Sequence, residues 1–292
     1  MGKILITGAT GNLGGKTLDL LLKQVQPNQV AALVRDLESA KAKKMVEQGV
    51  EVHQGDYFDY DSLLKAFHGV EKVMLISAVA FTDRNKQHFN VITAAKQAGV
   101  KHVIFTSIIR KEHSNLILPE ITLSDIFTEQ TLQASGLDYT ILRNPPYLEL
   151  MNVSVGDAIS SRSVRVPEGS GKVAAASLDD LAAANVAVLT QNGHENRTYH
   201  LSGGEAKSFS EMADILSEIS GEHITYAAIS ETDYLDMMGL PQAMHDFLLG
   251  WVQAINTGEF SEITGDLERL IGRKPTTYKE FFQQLFIAKA AN

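Results

Sequence analysis

Three glycines near the amino terminus have a spacing that would let a phosphate group approach the main chain. Gly8, Gly11 and Gly14 recur at intervals of three in the stretch ITGATGNLGG, directly after the apolar run of residues 4–6. A helix that begins just after a strand presents unpaired backbone N–H groups and the positive end of its dipole, and both attract phosphate. We expect Gly8 to form the tight turn, Gly11 to open the backbone to the anion, and Gly14 to let the helix pack on the strand.

The position of this loop favours a dinucleotide as its ligand. The spacing G-x-x-G-x-x-G is one residue longer at the front than the general dinucleotide fingerprint, so a purely structural turn is the alternative. A place between a first strand and a first helix, within an alternating pattern, favours binding. The candidate coenzyme contacts in the loop are Gly8, Thr10, Gly11, Asn12, Leu13 and Gly14.

A basic residue after the second predicted strand bears on the choice of coenzyme. Arg35 directly follows the apolar run of residues 30–34. An acid in this region would hold the ribose 2′-hydroxyl of NAD, whereas a guanidinium accommodates a 2′-phosphate. A charge-assisted hydrogen bond contributes about 1.5–3 kcal/mol, so we expect Arg35 to favour NADPH. The alternative is a solvated arginine near Asp36 and Glu38.

Residues at the ends of the next predicted strands are further candidates for coenzyme contacts. Asp56 follows the third strand and either accepts from the adenine amino group or caps the next helix. In an open parallel sheet the ligand lies beyond the carboxyl ends of the strands. Ile76, Ser77 and Thr106 close the fourth and fifth strands and are therefore expected beside the ribose and nicotinamide.

Strand-like and helix-like segments alternate through the first half of the chain. This alternation predicts an α/β fold with a Rossmann-type, doubly wound parallel sheet and helices on both faces. The second half is mostly helical and predicts a smaller lobe. Ser177, Ser208 and Thr277 each stand three residues before an acid and predict helix starts with capping boxes. An apolar stripe from Met244 to Ile255 predicts an amphipathic helix that packs inside the lobe or against a second copy in a homodimer, with direct ligand contact as the alternative.

The composition disfavours several classes of function. Thirty-five acidic and 26 basic residues give a net charge of −9, which disfavours nucleic acid and anionic membranes as partners. The chain has no cysteine, so it has no disulfide, thiolate nucleophile or cysteine-based zinc site. The nine histidines show no metal-binding spacing. With no signal-peptide pattern and no run of about 18 apolar residues, we expect a cytoplasmic protein without bound metal.

The acid pair of ordinary short-chain dehydrogenases is missing. Those enzymes and related epimerases use a tyrosine helped by a lysine four residues later, and none of the eight tyrosines has that lysine. Tyr139 with Arg143 comes nearest but falls in a strand-like segment. Quinones and delocalised cationic dyes accept hydride without a strong protein acid, because the electrons spread over a conjugated system and water delivers the proton. Positioning alone is then sufficient.

Several motifs together carry a resemblance to a known family. They are TGATGNLG at residues 7–14, Val-Arg at 34–35, Gly-Asp-Tyr at 55–57, AAKQAGVK at 94–101, SGLDYTILRN at 135–144, GHENRTY at 193–199 and IGRKPTT at 271–277. In this combination the chain resembles the NmrA-like branch of atypical short-chain dehydrogenases. Within that branch it is most similar to bacterial NADPH:quinone oxidoreductases and triphenylmethane reductases.

The resemblance implies a two-part organisation and further site residues. Residues 1–150 are expected to form the NAD(P)-binding Rossmann domain, with residues 175–203 returning to it, and residues 151–174 and 204–292 to form the substrate lobe. Asn144, Pro145, Pro146 and Tyr147 fall where the family's chain passes the nicotinamide, and Asn144 and Pro145 are candidate coenzyme contacts. Relatives that reduce phenylpropanoids carry a catalytic lysine where this chain has Phe127, and the Pro145-Pro146 pair leaves the identity of the acceptor open.

Four residues are candidates for the acceptor pocket, which we expect to take a planar molecule such as a quinone. Ser77, Phe81, Ile108 and Tyr147 each follow a strand end or the crossover into the lobe, with ordinary loop packing as the alternative. Tyr147 and Ser77 would position the acceptor rather than transfer a proton, and Tyr147 would stack on it or donate a hydrogen bond. Two functions fit this pattern: an NADPH-dependent reductase, or a dinucleotide-binding redox sensor that regulates a partner protein.

Overall fold

The computed structural model describes residues 2–290 of the 292-residue chain. Along the chain its elements are β1 Lys3–Ile6, α1 Asn12–Leu21, β2 Val30–Val34, α2 Ala40–Glu47, β3 Glu51–Gln54, α3 Tyr60–Ala66, β4 Val70–Leu75, α4 Arg84–Ala98, β5 His102–Ile108, α5 Thr122–Ala134, β6 Asp138–Asn144, α6 Leu148–Val155, α7 Ala158–Ser161, β7 Ser163–Pro167, α8 Leu178–Thr190, β8 Arg197–His200, α9 Phe209–Ser220, β9 Thr225–Ile229, α10 Glu231–Met238, α11 His245–Asn256, α12 Asp266–Ile271 and α13 Tyr278–Ala290. Short 3₁₀ turns occur at Pro27–Gln29 and Gln242–Met244.

Seven strands of the described chain form one parallel sheet in the order β3-β2-β1-β4-β5-β6-β8. Leu5 of β1 is in register with Ala31 of β2 on one side and with Val73 of β4 on the other. The strand order therefore reverses beside β1, and ligands of open α/β sheets bind at the carboxyl ends of the strands that flank such a reversal. The Rossmann-type fold predicted from the alternation of elements is confirmed.

The central strands are buried on both faces because helices cover the sheet on both sides. Every residue of β2 and of β5 is buried. A hydrophobic core on one face joins Leu5, Val73 and Phe105 of the sheet to Phe67 and Ile92 from the helical layer. Continuous apolar runs without alternation are typical of parallel strands buried in this way.

Contacts divide the described chain into two compact units. The first, here called the sheet unit, comprises Met1–Ile108, Glu120–Arg143 and Leu181–His200. The second, here called the lobe unit, comprises Ile109–Pro119, Asn144–Asp180 and Leu201–Asn292, and it contains the parallel strand pair β7 and β9. The sequence shows no change of composition at Ile109–Pro119, so it gave no reason to assign this segment to the lobe. Within residues 2–290, no helix combines the length and apolar character needed to cross a membrane.

Two of the three predicted capping boxes form. The hydroxyl of Ser208 accepts from the backbone N–H of Glu211, whose carboxylate accepts from the N–H of Ser208 in return. The same reciprocal bonds join Thr277 and Glu280. Each box satisfies backbone donors that a helix start otherwise leaves unpaired.

The third predicted box forms only in part. Ser177 caps its helix, since its hydroxyl accepts from the N–H of Asp180 at 3.1 Å. The Asp180 carboxylate instead accepts from the guanidinium of Arg273 and the N–H of Thr276, and it is fully buried. The IGRKPTT motif is therefore held to the start of α8 by one buried carboxylate within the lobe unit.

Sequence reasoning missed α2, a helix with only a small apolar face. Ala42 and Met45 are its buried residues, and three lysines between residues 41 and 44 obscure the helical period. The helix begins after Ser39, whose hydroxyl accepts from the N–H of Ala42 at 3.3 Å. It connects β2 to β3 in the sheet unit, as a crossover between parallel strands requires.

Candidate coenzyme and substrate site

The glycine loop lies between β1 and α1, where the sequence pattern predicted it. Gly8 has a φ of +59°, a left-handed conformation that glycine adopts without steric cost. The N–H of Gly11 donates to the carbonyl of Gly8 at 2.9 Å and closes the turn. Gly11 then stands at the N-cap of α1, and in the described chain no side chain caps this helix and no acid lies in its first turn. The helix start therefore presents its N–H groups and positive dipole end to an anion.

Close packing explains why the third position of the loop is a glycine. A Cβ at Gly14 would overlap the carbonyl oxygen of Gly8 and lie 2.8 Å from its carbonyl carbon. A Cβ at Gly11 would lie 3.1 Å from the same oxygen. A side chain at Gly14 would therefore push the turn away from the helix, whereas one at Gly11 would need a shift of only a few tenths of an ångström. The loop thus forms a shallow cradle of bare backbone that fits a diphosphate group.

Two cations that follow β2 in the sheet unit are candidates for binding the coenzyme, and sequence reasoning found only one. Arg35 follows the last residue of β2 and is exposed, and its guanidinium makes no ion pair within residues 2–290. Lys41, on α2, donates from its Nζ to the carbonyl of Thr10 at 2.6 Å. Lys41 is 31 positions from Thr10 in the chain, and the missed helix α2 brings them together.

The alternative role considered for Asp56, capping the next helix, is wrong. Asp59 caps α3, since its carboxylate accepts from the N–H of Ser62 at 3.2 Å. Asp56 accepts from the N–H of Phe58 at 2.8 Å and so shapes the turn that follows β3. A contact between Asp56 and the adenine of a coenzyme stays a prediction.

The chain that leaves β4 is fixed by side chains from neighbouring elements. The N–H of Ile76 donates to the hydroxyl of Thr7 at 3.0 Å, and the N–H of Ser77 donates to the hydroxyl of Thr106 at 2.9 Å. The Tyr57 hydroxyl donates to the carbonyl of Ile76 at 2.8 Å and also contacts the Thr7 hydroxyl. Thr106 is buried, so its structural contribution is to hold Ser77. Burial raises the pKa of the Tyr57 hydroxyl, which stays protonated at neutral pH.

Phe81 and Ile108, the two apolar candidates for the acceptor pocket, differ in exposure. Phe81 is 45% exposed and has a φ of +64°, which is uncommon and unfavourable for a bulky residue. Ile108 ends β5 and is 8% exposed. The exposed ring of Phe81 is compatible with a ligand contact, whereas the burial of Ile108 favours its alternative role in packing.

In the lobe unit, Asn144 has a buried side-chain amide. It is 3% exposed, and within residues 2–290 neither the oxygen nor the nitrogen of its side-chain amide has a hydrogen-bond partner. Its backbone carbonyl accepts from the N–H of Ile109 at 2.8 Å. A buried amide left unpaired costs about 1–3 kcal/mol, so such groups call for an explanation, and a bound ligand is one.

The segment after Asn144 is held to a neighbouring stretch of the lobe unit. Pro145 and Pro146 are buried and Tyr147 is half-buried. The N–H of Leu148 donates to the carbonyl of Ala176 at 3.0 Å, and the N–H of Ala176 donates to the carbonyl of Pro146 at 3.2 Å. These bonds hold the main chain on both sides of Tyr147.

Tyr139 and Arg143 lie on the strand β6, as the sequence indicated, so they share no helix face. The Arg143 guanidinium binds the Glu129 carboxylate through two bonds, of 3.0 Å from Nε and 2.6 Å from Nη2. Glu129 also accepts from the hydroxyl of Ser107 at 2.6 Å and is buried. Phe127, on α5, is 37% exposed. Within residues 2–290, no cluster of three or more His, Asp or Glu side chains is suited to a metal ion.

The parallel sheet, its reversal beside β1 and the glycine cradle define a Rossmann-type dinucleotide-binding protein. Comparison with known proteins makes this assignment specific. The chain belongs to the NmrA-like family, whose sequence model matches residues 1–282. The family predicted from the short motifs is confirmed.

Relatives of known activity match the chain over nearly its whole length. Quinone oxidoreductase 2 of Escherichia coli strain K12 is 38% identical over 97% of this chain and 98% of its own. The structure of an NADPH-dependent quinone oxidoreductase of E. coli complexed with NADPH matches with a TM-score of 0.90 at 38% identity, covering 97% of this chain and 99% of the other. The triphenylmethane reductase of Citrobacter sp. complexed with NADP(H) matches with a TM-score of 0.90 at 36% identity, with the same coverage.

Proposed function

We propose that this protein is an NADPH-dependent oxidoreductase that transfers hydride directly to a quinone or a similar planar, conjugated acceptor. The observation that carries the proposal is the cradle of Gly8, Gly11 and Gly14 at the uncapped start of α1, which has the shape and polarity for a dinucleotide diphosphate. The relatives with NADPH or NADP(H) bound support the choice of coenzyme. The relatives named as quinone and dye reductases support the class of acceptor.

Different residues of this chain would bind different parts of the coenzyme. Backbone N–H groups from Gly11 to Gly14 would hold the diphosphate, and the cations of Arg35 and Lys41 would hold the 2′-phosphate. Ser77 would contact the nicotinamide ribose. The unpaired amide of Asn144 has a donor and an acceptor, which match the two polar atoms of the nicotinamide carboxamide.

The proposed chemistry needs no strong protein acid. NADPH supplies a hydride, and a quinone or dye delocalises the charge that arrives with it. The buried hydroxyls of Tyr57 and Tyr278 are engaged by Ile76 and Val173, and burial raises both pKa values, so neither is suited to donate a proton to a substrate. Arg143 is committed to Glu129. The role left to the protein is to orient the acceptor against the coenzyme and exclude water, with Tyr147 as a stacking surface.

Absorbance of the reduced nicotinamide provides the test. Purified protein with NADPH and a panel of quinones and cationic dyes is expected to show rapid coenzyme oxidation, and Tyr147→Ala is expected to lower turnover. Full turnover of Tyr147→Ala with every acceptor would remove Tyr147 from this role.

The absence of a Tyr-Lys pair also suits the second candidate function, a redox sensor that binds the dinucleotide and regulates a partner protein. Such a sensor would show no turnover with any acceptor and a marked difference in affinity between NADPH and NADP+. Failure to bind NADPH at millimolar concentration would contradict both functions.

A further inference from the structure

Three consecutive backbone donors at the end of β4 are bound by side chains instead of by a neighbouring strand. The N–H groups of Ile76, Ser77 and Ala78 donate to Thr7 Oγ1, Thr106 Oγ1 and His88 Nε2, at 3.0, 2.9 and 2.9 Å. Thr7 directly follows β1, Thr106 lies on β5 and His88 lies on α4. The conformation of this segment therefore depends on side-chain acceptors, since the regular ladder of β4 ends at Leu75.

Ala78 is held at both of its backbone polar groups by α4. His88 accepts from its N–H, and the guanidinium of Arg84 donates to its carbonyl. His88 is fully buried and Arg84 is 5% exposed. Two buried polar side chains on successive turns of one helix are thus directed at a single residue of the loop, and a helix interior rarely buries such groups without a specific partner.

The bonding pattern fixes the protonation of His88. Because the N–H of Ala78 is a donor, Nε2 of His88 must be the unprotonated acceptor. The ring hydrogen is then on Nδ1 and donates to the Thr128 hydroxyl at 2.8 Å, which in turn donates to the carbonyl of Ser124 at 2.7 Å. Burial and the nearby cation of Arg84 lower the pKa of His88 to about 3, so the acceptor persists at neutral pH.

Arg84, the other side chain that binds Ala78, is also held by neighbouring groups. The Arg84 guanidinium forms a buried ion pair with Asp125, and its Nε donates to the hydroxyl of Ser124 at 3.0 Å. The ring of His88 packs edge-on against Phe105 of β5, with ring centroids 5.3 Å apart. Helices α4 and α5 and strand β5 therefore all restrain the two side chains that hold Ala78.

We propose that His88 and Arg84 are positioning residues that fix the main chain of residues 76–78 so that it can receive the nicotinamide half of the coenzyme. The inference rests on the proposed function. The segment continues from the carboxyl end of β4, next to the strand reversal where ligands of such sheets bind. Without its acceptor, the N–H of Ala78 would donate to water instead, and Ser77 would move with it. Coenzyme binding would then have to restore the original conformation.

The test compares NADPH with 2′-phospho-ADP, which keeps the adenine half and the diphosphate but lacks the nicotinamide and its ribose. His88→Phe keeps a ring but removes the acceptor, and His88→Gln returns one at a similar reach. His88→Phe is expected to weaken NADPH binding about 5-fold to 100-fold, the equivalent of one unpaired buried donor, and to lower kcat. Affinity for 2′-phospho-ADP is expected to change less than about two-fold. His88→Gln is expected to recover most of the loss.

A matched control separates positioning from stability. His102 is also buried in the sheet unit, but it lies at the amino end of β5, opposite to the end that carries Thr106. Its Nε2 forms a hydrogen bond with the hydroxyl of Thr140 on β6. His102→Phe is expected to lower the melting temperature without changing the ratio of the two affinities. Equal loss of both ligands in His88→Phe, or an unchanged NADPH affinity, would overturn the inference.

A second variant covers the case in which His88→Phe does not fold. Thr128→Val removes the group that orients the His88 ring and is expected to weaken NADPH binding in the same direction, with the affinity for 2′-phospho-ADP unaffected. An unchanged NADPH affinity in this variant would overturn the inference. If the wild-type protein bound NADPH but reduced no acceptor, the reductase proposal would fail, while the affinity ratio would still decide the role of His88.

Discussion

The carbonyl oxygen of Gly8 occupies the space that a side chain at Gly14 would need. A Cβ added at Gly14 would overlap this oxygen and lie 2.8 Å from the carbonyl carbon of Gly8. The turn that opens the phosphate cradle and the helix that supplies its dipole therefore touch backbone to backbone. This contact sets how close an anion can come to the start of α1.

Replacing Gly14 should abolish coenzyme binding with a limited effect on the rest of the fold. In Gly14→Ala the added methyl group would displace the turn, and we expect NADPH affinity to fall at least about 100-fold, the equivalent of losing two charge-assisted hydrogen bonds. Gly15→Ala is the control, because its Cβ would lie 3.2 Å from the carbonyl of Ala9 and needs only a small adjustment. Calorimetric titration measures both affinities. Similar affinities for the two variants would argue against the cradle.

The two candidate cations after β2 should set the preference for NADPH over NADH. Arg35→Ala is expected to reduce that preference by about 10-fold to 100-fold, because it removes a charge-assisted contact to the 2′-phosphate. Lys41→Met is expected to reduce it in the same direction. Lys43→Met is the control, since Lys43 lies on the same helix but pairs with Glu38 at 2.9 Å. An unchanged ratio of the two dissociation constants in both Arg35→Ala and Lys41→Met would exclude these residues from coenzyme selection.

Replacing Asn144 by leucine should stabilise the free protein while weakening coenzyme binding. The substitution removes a buried amide that has no hydrogen-bond partner within residues 2–290, so we expect a gain of about 1–3 kcal/mol in the free energy of unfolding. The same change would remove the proposed contacts to the nicotinamide carboxamide. Urea unfolding and NADPH titration measure the two effects.

Asn185 is a buried asparagine that provides the contrast. Its Nδ2 donates to the hydroxyl of Thr17 at 2.9 Å, so Asn185→Leu is expected to destabilise the protein. A stabilised Asn144→Leu variant with undiminished NADPH affinity would show that the buried amide of Asn144 serves no ligand.

Stability should fall as the pH drops below about 6.5, the ordinary pKa of histidine. Burial lowers the pKa of His88 to about 3 and also lowers the pKa values of His102 and His194. Below pH 6.5 these histidines bind protons in the unfolded chain but remain neutral in the folded protein. The stabilisation is therefore present above pH 6.5 and is lost as the pH falls through the lowered pKa values.

The contribution of His88 can be measured separately. Arg84 is the charged group beside it on α4, and on α5 the burial of Asp125 raises the pKa of that carboxyl to about 6. A raised carboxyl pKa acts in the opposite direction between about pH 4 and 6. In urea unfolding at pH 7, 6 and 5, His88→Gln should remove about 1.4 kcal/mol of pH dependence per unit below 6.5. A slope equal to that of the wild type would contradict the assigned protonation state.

Local patterns in the sequence were sufficient for the features that depend on near neighbours. The glycine loop spans seven residues, so its turn, its helix start and its need for small residues could be predicted from spacing alone. The alternation of apolar runs and helical segments predicted the parallel sheet, because parallel strands require crossover connections. The capping box at Ser208 was found for the same reason, since its two partners lie three positions apart.

The misses came from contacts between distant parts of the chain. Lys41 reaches Thr10 through a helix whose lysines hide its apolar face. Asp180 looked like a reciprocal capping residue, but Arg273 and Thr276 bind its carboxylate. No local spacing predicts which distant donor a carboxylate will meet.

The sequence by itself determined the fold class, the family and the position of the glycine loop, because each is encoded in residues that are adjacent or in a fixed period. Only the tertiary structure decided that His88 and Arg84 hold Ala78 and that the amide of Asn144 is buried without a partner. The physical reason is that burial and hydrogen-bond satisfaction are properties of the packed molecule. A side chain's partners are set by which helices and strands surround it, and these come together only when the chain folds.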